Sequence, residues 1–481
     1  MTRYVCIHGH FYQPPRENPW TERVERQESA LPYHDWNERV TIQCYAPNAA
    51  ARLLDGSGKV RRRLNNYSRM SFNFGPTLLS WMEKASPETY AALLSADRES
   101  RGRFSGHGGA IAQAYNHMIM PLASARDKKT QVIWGARDFR HRLGRDPEGM
   151  WLPETAVDLE TLDILAEEGI LFTILAPHQA LRVREEGAWR EVAGDNLDTT
   201  VPYRCELPSG RSIALFFYNS LLAHDISFGS LLENGGTFAR RMIDGARGEG
   251  ARLSHVATDG ETFGHHRRFG EMGLAYCLET LEEGSQAELT IYGEFLEKHP
   301  PTAVVEIAEN TSWSCSHGVD RWRSDCGCRA GDHPEWSQEW RKPLRDSLED
   351  LRAEMDALFE EMGKEFFDDP WKARDGYIDE ILGGEVRRGR AGKLLEMQRY
   401  AMLMFTSCGW FFDDISRIET VQILGYAARA AQLAGEVSGR DALGPFLRAL
   451  EKVPGNREEV PNAREALEAA FGGRIGAVGK G

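Results

Sequence analysis

Between residue 1 and about residue 300, short apolar runs alternate with stretches patterned like helices. Tyr4-Val5-Cys6-Ile7 is a first buried-strand candidate; a long polar loop follows, and Ala46 to Leu54 reads as helix. Met70 to Phe74 reads as strand, Thr77 to Met82 begins a helix, and Leu159 to Glu168 is an amphipathic helix after the apolar run Gly149 to Leu152. Leu171 to Leu175, Ile213 to Phe217 and His255 to Ala257 are further buried-strand candidates. Six or seven such strand–helix units predict an α/β fold with a mainly parallel sheet and point to a barrel. An open doubly wound sheet competes, but no Gly-x-Gly-x-x-Gly follows the first strand to support a nucleotide site. Past about residue 335 the period changes. Trp340 to Phe366 carries Leu344, Leu348, Leu351, Met355 and Leu358 at helical spacing, and Leu394 to Phe405, Ile418 to Leu433 and Ala442 to Leu450 repeat the signature. We therefore expect a catalytic-type barrel over 1–300, a Trp/Cys/His-rich loop over 301–338 that covers its mouth, a helical region over 339–471 and a flexible Gly-rich tail over 472–481.

Composition narrows the partners. The chain has 481 residues, enough for a barrel and an appendage, and a formal net charge of -14. The acidic balance is spread along the chain, which argues against nucleic acid or an anionic membrane as the main partner. No run approaches the roughly 20 apolar residues of a membrane span. Met1-Thr2-Arg3 leads straight into the first strand, so we expect a cytoplasmic protein without a secretory leader. Its 8 cysteines are mostly isolated, and free thiols in a reducing compartment are the simplest account.

Two segments about a hundred residues apart carry the candidate chemistry. Gly149-Met150-Trp151-Leu152-Pro153-Glu154 and Thr258-Asp259-Gly260-Glu261-Thr262-Phe263-Gly264 each place a carboxylate at a predicted strand end, beside aromatic and turn residues. Burying a charge costs several kcal/mol or so unless it is paired, so carboxylates placed there point to use. A carboxylate pair suits glycosidic chemistry, in which one acid attacks the sugar and the other moves a proton on and off the leaving oxygen. His8-Gly9-His10-Phe11-Tyr12-Gln13 follows the first strand, where α/β folds carry functional loops. His8, His10 and Gln13 can bond sugar hydroxyls, and Trp151 and Glu261 belong to the same candidate set. We expect His8 and His10 to face opposite ways on the strand, which makes a metal there the weaker choice. A Gly-rich turn, Phe104-Ser105-Gly106-His107-Gly108-Gly109, adds His107 as a hydroxyl donor.

Taken together, His-x-His with a following Gln-Pro, Trp-Leu-Pro-Glu and Asp-Gly-Glu-x-Phe-Gly resemble the motifs of glycoside hydrolase family 57. The resemblance covers the first 300 residues. It implies an incomplete (β/α)7 barrel followed by a helical region, and a retaining hydrolase or transglycosylase acting on α-linked glucans. By motif, Glu154 would be the nucleophile and Asp259 the general acid/base, while His10, Gln13 and His107 would bind the sugar where cleavage occurs. The family completes its site with an aromatic element from the helical region, and Trp410 in Phe405-Thr406-Ser407-Cys408-Gly409-Trp410 would fill that role. The partner is then an oligo- or polysaccharide, with no cofactor. A retaining mechanism predicts carboxyl groups about 5–5.5 Å apart and an Asp259 pKa raised by burial and by Glu154. Two departures leave the substrate open. Phe11-Tyr12 separate His10 from Gln13, and the second motif lacks the Gly-Gln-Leu-Glu character usual in the family.

The segment from Thr311 to Cys328 stands apart. Cys315, His317, Cys326, Cys328 and His333 together could ligate zinc, but Cys-x-His with Cys-x-Cys is an uncommon zinc spacing. We therefore read the segment as a loop whose Trp313 and Trp322 line the cleft and whose His317 and Arg321 face substrate, with no metal site. The rivals are a metal-dependent deacetylase or α-mannosidase-like enzyme using His8, His10, His107 and Asp259, and a non-catalytic glycan-binding homologue.

Overall fold

The computed structural model describes residues 2–185, 187–192, 196–331 and 333–475. It divides into two compact units. The first comprises 1–13, 26–114 and 139–309; the second comprises 14–25, 115–138 and 310–481.

Parallel strands form the centre of the first unit. β1 (Thr2–Phe11) pairs in parallel with β2 (Ser71–Phe74) and with β7 (Ala251–Asp259). β3 (Ala112–Gln113) pairs in parallel with β4 (Met150–Trp151), and β5 (Phe172–Leu175) with β6 (Ser212–Phe217). Single parallel bridges, Phe72 to Ala110 and Gly149 to Phe172, link β2 to the start of β3 and β4 to β5. β1 is buried on both faces, which is why Val5, Cys6 and Ile7 form a continuous apolar run rather than an alternating one. The order of these strands follows the chain, with helices such as Pro87–Arg103 and Leu159–Glu167 between them. The side chain of Asp158 caps the second of these by accepting from the Thr161 amide at 2.9 Å.

Two departures from the sequence pattern have local causes. The helix expected over Ala46 to Leu54 ends at Ala49, and Ala51–Leu54 is a strand paired with Val60–Leu64. Ala51 and Leu53 are buried while Arg52 and Leu54 are exposed, a period of two. Asp55 Oδ1 closes the hairpin by accepting from the Ser57 and Lys59 amides. The second departure extends β5 and β6 sideways. Strands Tyr203–Glu206, Ala303–Ile307, Ala180–Glu185 and Ala188–Glu191 continue that sheet; Tyr203–Glu206 pairs in parallel with Ala303–Ile307 and the other pairings are antiparallel, so the sheet is mixed.

Long helices dominate the second unit: Arg341–Gly363, Gly389–Leu403 and Ile418–Ser438. Their apolar stripes are buried, and Tyr400 stacks on Tyr426 with centroids 5.8 Å apart. The Arg374 guanidinium is fully buried and bonds Asp127 at 2.8 Å and Gln398 at 2.9 Å, satisfying a charge that would otherwise be costly. No helix among the described residues is long and apolar enough to cross a membrane. Residues 476–481 of the expected tail lie outside the described set.

Candidate active site

Strand register in the first unit assembles a row of polar side chains. His10 lies opposite Asp259 across β1 and β7, opposite Asn73 across β1 and β2, and Gln113 lies opposite Trp151 across β3 and β4. Neighbouring positions in a parallel sheet point to the same face, so residues more than 200 apart in sequence come side by side. Hydrogen bonds run along the row. Ser71 Oγ meets His8 Nδ1 at 3.0 Å, and His8 Nε2 meets Asn73 Oδ1 at 3.1 Å. Asn73 Nδ2 donates to His10 Nδ1 at 2.9 Å and to Gln113 Oε1 at 2.8 Å. A donor on Nδ1 leaves the neutral His10 ring with its own proton on Nε2. The Gln113 Nε2 donor has no hydrogen-bond partner and is buried, a group poised for a hydroxyl.

The two histidines face the same way, which corrects the expectation that they face apart. Positions two residues apart on a strand share a face. Both rings stack on Trp151, His8 at 5.1 Å and His10 at 4.8 Å between centroids. Trp151 has no exposed surface and acts as the shelf on which the imidazoles rest. Burial pushes the His8 imidazole down to about 3, and the neighbouring His10 lowers it further in the same direction. His8 is therefore a neutral ring bonded to Ser71 and Asn73.

Glu154 sits in a short turn after β4 with φ 57°, and Thr155 follows with φ 49°. Two consecutive non-glycine residues in the left-handed region carry roughly 1–3 kcal/mol of strain each. Gln179 holds them: Thr155 Oγ1 donates to Gln179 Oε1 at 2.9 Å, and Gln179 Nε2 donates to the Thr155 carbonyl at 2.8 Å. Strain of this kind aims a side chain at one point. The Asp259-Gly260-Glu261 turn is held just as closely, because a Cβ on Gly260 would stand 2.2 Å from the Phe11 ring.

Electrostatics raises both carboxylates of the Asp259-Gly260-Glu261 turn. Asp259 touches solvent at the end of β7, yet the surrounding protein strips it of bulk hydration and, with the charge of nearby Glu154, pushes its carboxyl up to about 7. Glu261 is buried and rises to about 8, chiefly through burial. The hydroxyl of Tyr45 at 2.5 Å and the Tyr12 amide at 2.9 Å both donate to its Oε1, and these bonds oppose the rise. Tyr218 at the end of β6 feels the Asp259 charge as well, and its buried phenol is held above its ordinary range.

Other candidate residues have different surroundings. His107 precedes β3 instead of following it, and both of its ring nitrogens are bonded, to Glu148 at 2.7 Å and Glu297 at 2.8 Å. Burial opposes its charge, but the two carboxylates hold the imidazole above its ordinary range, so a structural ion triad accounts for it. Gln13 turns back to donate to the Tyr12 carbonyl at 3.1 Å. In the second unit Trp410 has no exposed surface, bonds the Arg341 carbonyl at 3.3 Å and lies parallel to Phe405, so it offers no open face. Arg321 is buried under Phe411 and bonds the Ser314 carbonyl, and Trp322 is fully buried; Trp313 is half-buried. His317 is exposed and sits among cysteines. His333 stands apart from them, stacked on Trp336. Sequence reasoning missed Ser71, Asn73, Gln113 and Tyr45. The alternation Ser71-Phe72-Asn73-Phe74 was the available signal for two of these.

A separate cavity of about 630 Å³ in the same unit is lined by Arg39, Arg52, Arg63, Arg268 and Phe269 among others. Neither Glu154 nor Asp259 lines it, so it is not the site of the candidate chemistry.

The chain belongs to glycosyl hydrolase family 57, whose sequence profile matches residues 10–308. The helical region matches a domain of unknown function (DUF3536) over 336–391 and 384–471. An alpha-amylase of Pyrococcus horikoshii is 22% identical over 259 residues, covering 51% of this chain and 37% of that protein. A 4-alpha-glucanotransferase of Thermococcus litoralis is 21% identical over 259 residues, covering 51% and 36%. The match thus spans little more than a third of the length of these curated relatives. Among solved structures, an exo-type maltose-forming amylase from Pyrococcus sp. ST04 superposes with a TM-score of 0.71 at 16% identity, covering 94% of this chain and 83% of that one. A GH57-type branching enzyme from Pyrococcus horikoshii gives 0.58 at 16% identity, covering 96% of each. These likenesses establish a mixed α/β fold with a helical C-terminal part.

Proposed function

We propose that the protein is a retaining glycoside hydrolase or transglycosylase acting on an α-linked glucan or related oligosaccharide. The observation that supports this reading is Asp259, which reaches solvent at the end of β7 and holds its proton to near neutrality through burial and the charge of nearby Glu154. Glu154 attacks the anomeric carbon and forms a glycosyl ester, while Asp259 gives its proton to the departing oxygen. Asp259 then takes a proton from water or from an acceptor hydroxyl, whose oxygen displaces Glu154. His10, with its Nε2 proton, and Gln113 Nε2 are the donors we assign to sugar hydroxyls beside this pair. We further read β1 to β7 as an incomplete (β/α)7 barrel; the parallel pairings and single bridges support that order.

A metal-dependent sugar enzyme would need His8, His10, His107 and Asp259 to converge. His107 lies in its own ion triad, and both His8 nitrogens are engaged by Ser71 and Asn73, so these two do not join Asp259 in a donor set. The decisive test is the anomeric configuration of the first product, followed by NMR during hydrolysis of α-linked oligosaccharides. Net retention is expected. Inversion would overturn the double displacement, and unchanged activity in Glu154→Gln would favour a non-catalytic homologue.

A further inference from the structure

The segment read from sequence as a metal-free loop folds into a compact donor cluster. One ligand atom from each of Cys315, His317, Cys326 and Cys328 lies within 4.8 Å of every other. Cys315 Sγ is 3.9 Å from Cys326 Sγ and 3.7 Å from Cys328 Sγ, and Cys328 Sγ is 3.6 Å from His317 Nδ1. Zinc bonds thiolate at about 2.3 Å and imidazole at about 2.0–2.1 Å, so a tetrahedral site spaces sulfurs about 3.8 Å apart and sulfur from nitrogen about 3.6 Å. These three spacings match that polyhedron. A disulfide would instead need sulfurs at about 2.05 Å.

Local backbone explains how four donors within fourteen residues converge. Gly318 follows His317 at φ 82°, and a Cβ there would meet the Asn310 carbonyl at 2.3 Å. Gly327 sits between Cys326 and Cys328 at φ 77°, turning both thiols toward one point. Ser312 Oγ clamps the first turn by donating to the Gly318 carbonyl at 2.6 Å. Charge points the same way. Arg341, with no exposed surface, places Nη1 3.0 Å from the Cys328 carbonyl and 3.9 Å from Cys326 Sγ. Its Nε and Nη2, like those of buried Arg321, have no hydrogen-bond partner. Three thiolates with one divalent ion carry a net negative charge, which balances buried guanidinium groups better than neutral thiols do.

We propose that Cys315, His317, Cys326 and Cys328 form a closed structural zinc site that staples the 315–328 loop to the start of the Arg341–Gly363 helix. Four protein ligands leave no open position, so the ion orders the loop and takes no part in the sugar chemistry. The full chain, purified under reducing conditions, is expected to carry about one zinc by elemental analysis. After metal removal, cobalt(II) is expected to give the visible bands of a tetrahedral centre with thiolate charge transfer. Cys326→Ser and Cys328→Ser should each lose the metal, whereas Cys205→Ser should keep it. His317→Cys should retain one equivalent with a spectrum moved toward four-thiolate ligation, a readout that survives if the serine variants fail to fold. A reduced wild-type chain with no zinc and no cobalt spectrum would overturn the proposal. So would full metal content in both serine variants, or a disulfide among the three cysteines in the metal-free protein.

Discussion

The carboxylate row of the first unit and the cysteine–histidine cluster of the second are built in opposite ways. Asp259, His10, Asn73, Gln113 and Trp151 come from five strands, and only the register of a parallel sheet makes them neighbours. Cys315, His317, Cys326 and Cys328 come from one short loop, and two glycine turns suffice to bring them together. The row depends on sheet geometry at long range, so a change at one supporting position should travel along it. The cluster depends on local turns, so its failure should be confined to the loop and the helix start.

The sharpest way to break this contrast is at the carboxylates. Glu154→Gln and Asp259→Asn should each lower turnover by about 10³-fold or more, with circular dichroism unchanged, because each removes one chemical role. Retained activity in either would remove the row from the chemistry. Next in size, Asn73→Ala takes away a donor shared by His10 and Gln113 and an acceptor for His8. We expect a loss of about 2–3 kcal/mol in urea denaturation and a fall in kcat/KM of roughly 10- to 100-fold. A fall confined to stability would show that His10 keeps its orientation without Asn73. Gln179→Ala should release the strained Glu154–Thr155 turn. Activity should then drop by about 10-fold or less while KM hardly moves, since strain relief misaims Glu154, the proposed nucleophile, without touching substrate contacts.

The smallest expected effect is electrostatic. Glu261 has a folded-state pKa near 8, above its ordinary 4.5. A raised carboxyl pKa means the folded chain holds a proton that the unfolded chain releases. Its stabilising contribution is therefore complete below the ordinary pKa and is lost as pH rises through about 8. Glu261→Gln should flatten the decline of stability across that window, measured by thermal melting at a series of pH values. For Asp259 the same sign makes the acid form available below about 7, so activity that depends on the proposed general acid should fall on the alkaline side of neutrality. In Glu154→Gln the loss of the neighbouring charge should move the Asp259 titration down, observable by carbon-13 NMR of the labelled carboxyl.

Much of the first unit was legible because parallel strands buried on both faces must be apolar along their length. Tyr4 to Ile7, Leu171 to Leu175 and Ile213 to Phe217 all carry that mark. Glu154 and Asp259 stood out as candidates because each carboxylate closes a buried apolar run. Ala46 to Leu54 misled because the alanines and the adjacent Leu53 and Leu54 fit either period until burial decides. His107 misled because a glycine-rich turn looks alike at either end of a strand. Trp410 misled because an aromatic at a helix end serves a core as readily as a ligand.

By itself the sequence pointed to the family and to Glu154 and Asp259 as candidates, since these follow from hydrophobic period and from motifs a few residues long. Tertiary structure decided which polar residues stand beside them, and brought Cys315, His317, Cys326 and Cys328 together while leaving His333 apart. The reason is geometric. Register across strands and the hand of a turn set distances in space, and neither leaves a trace in the spacing of residues along the chain.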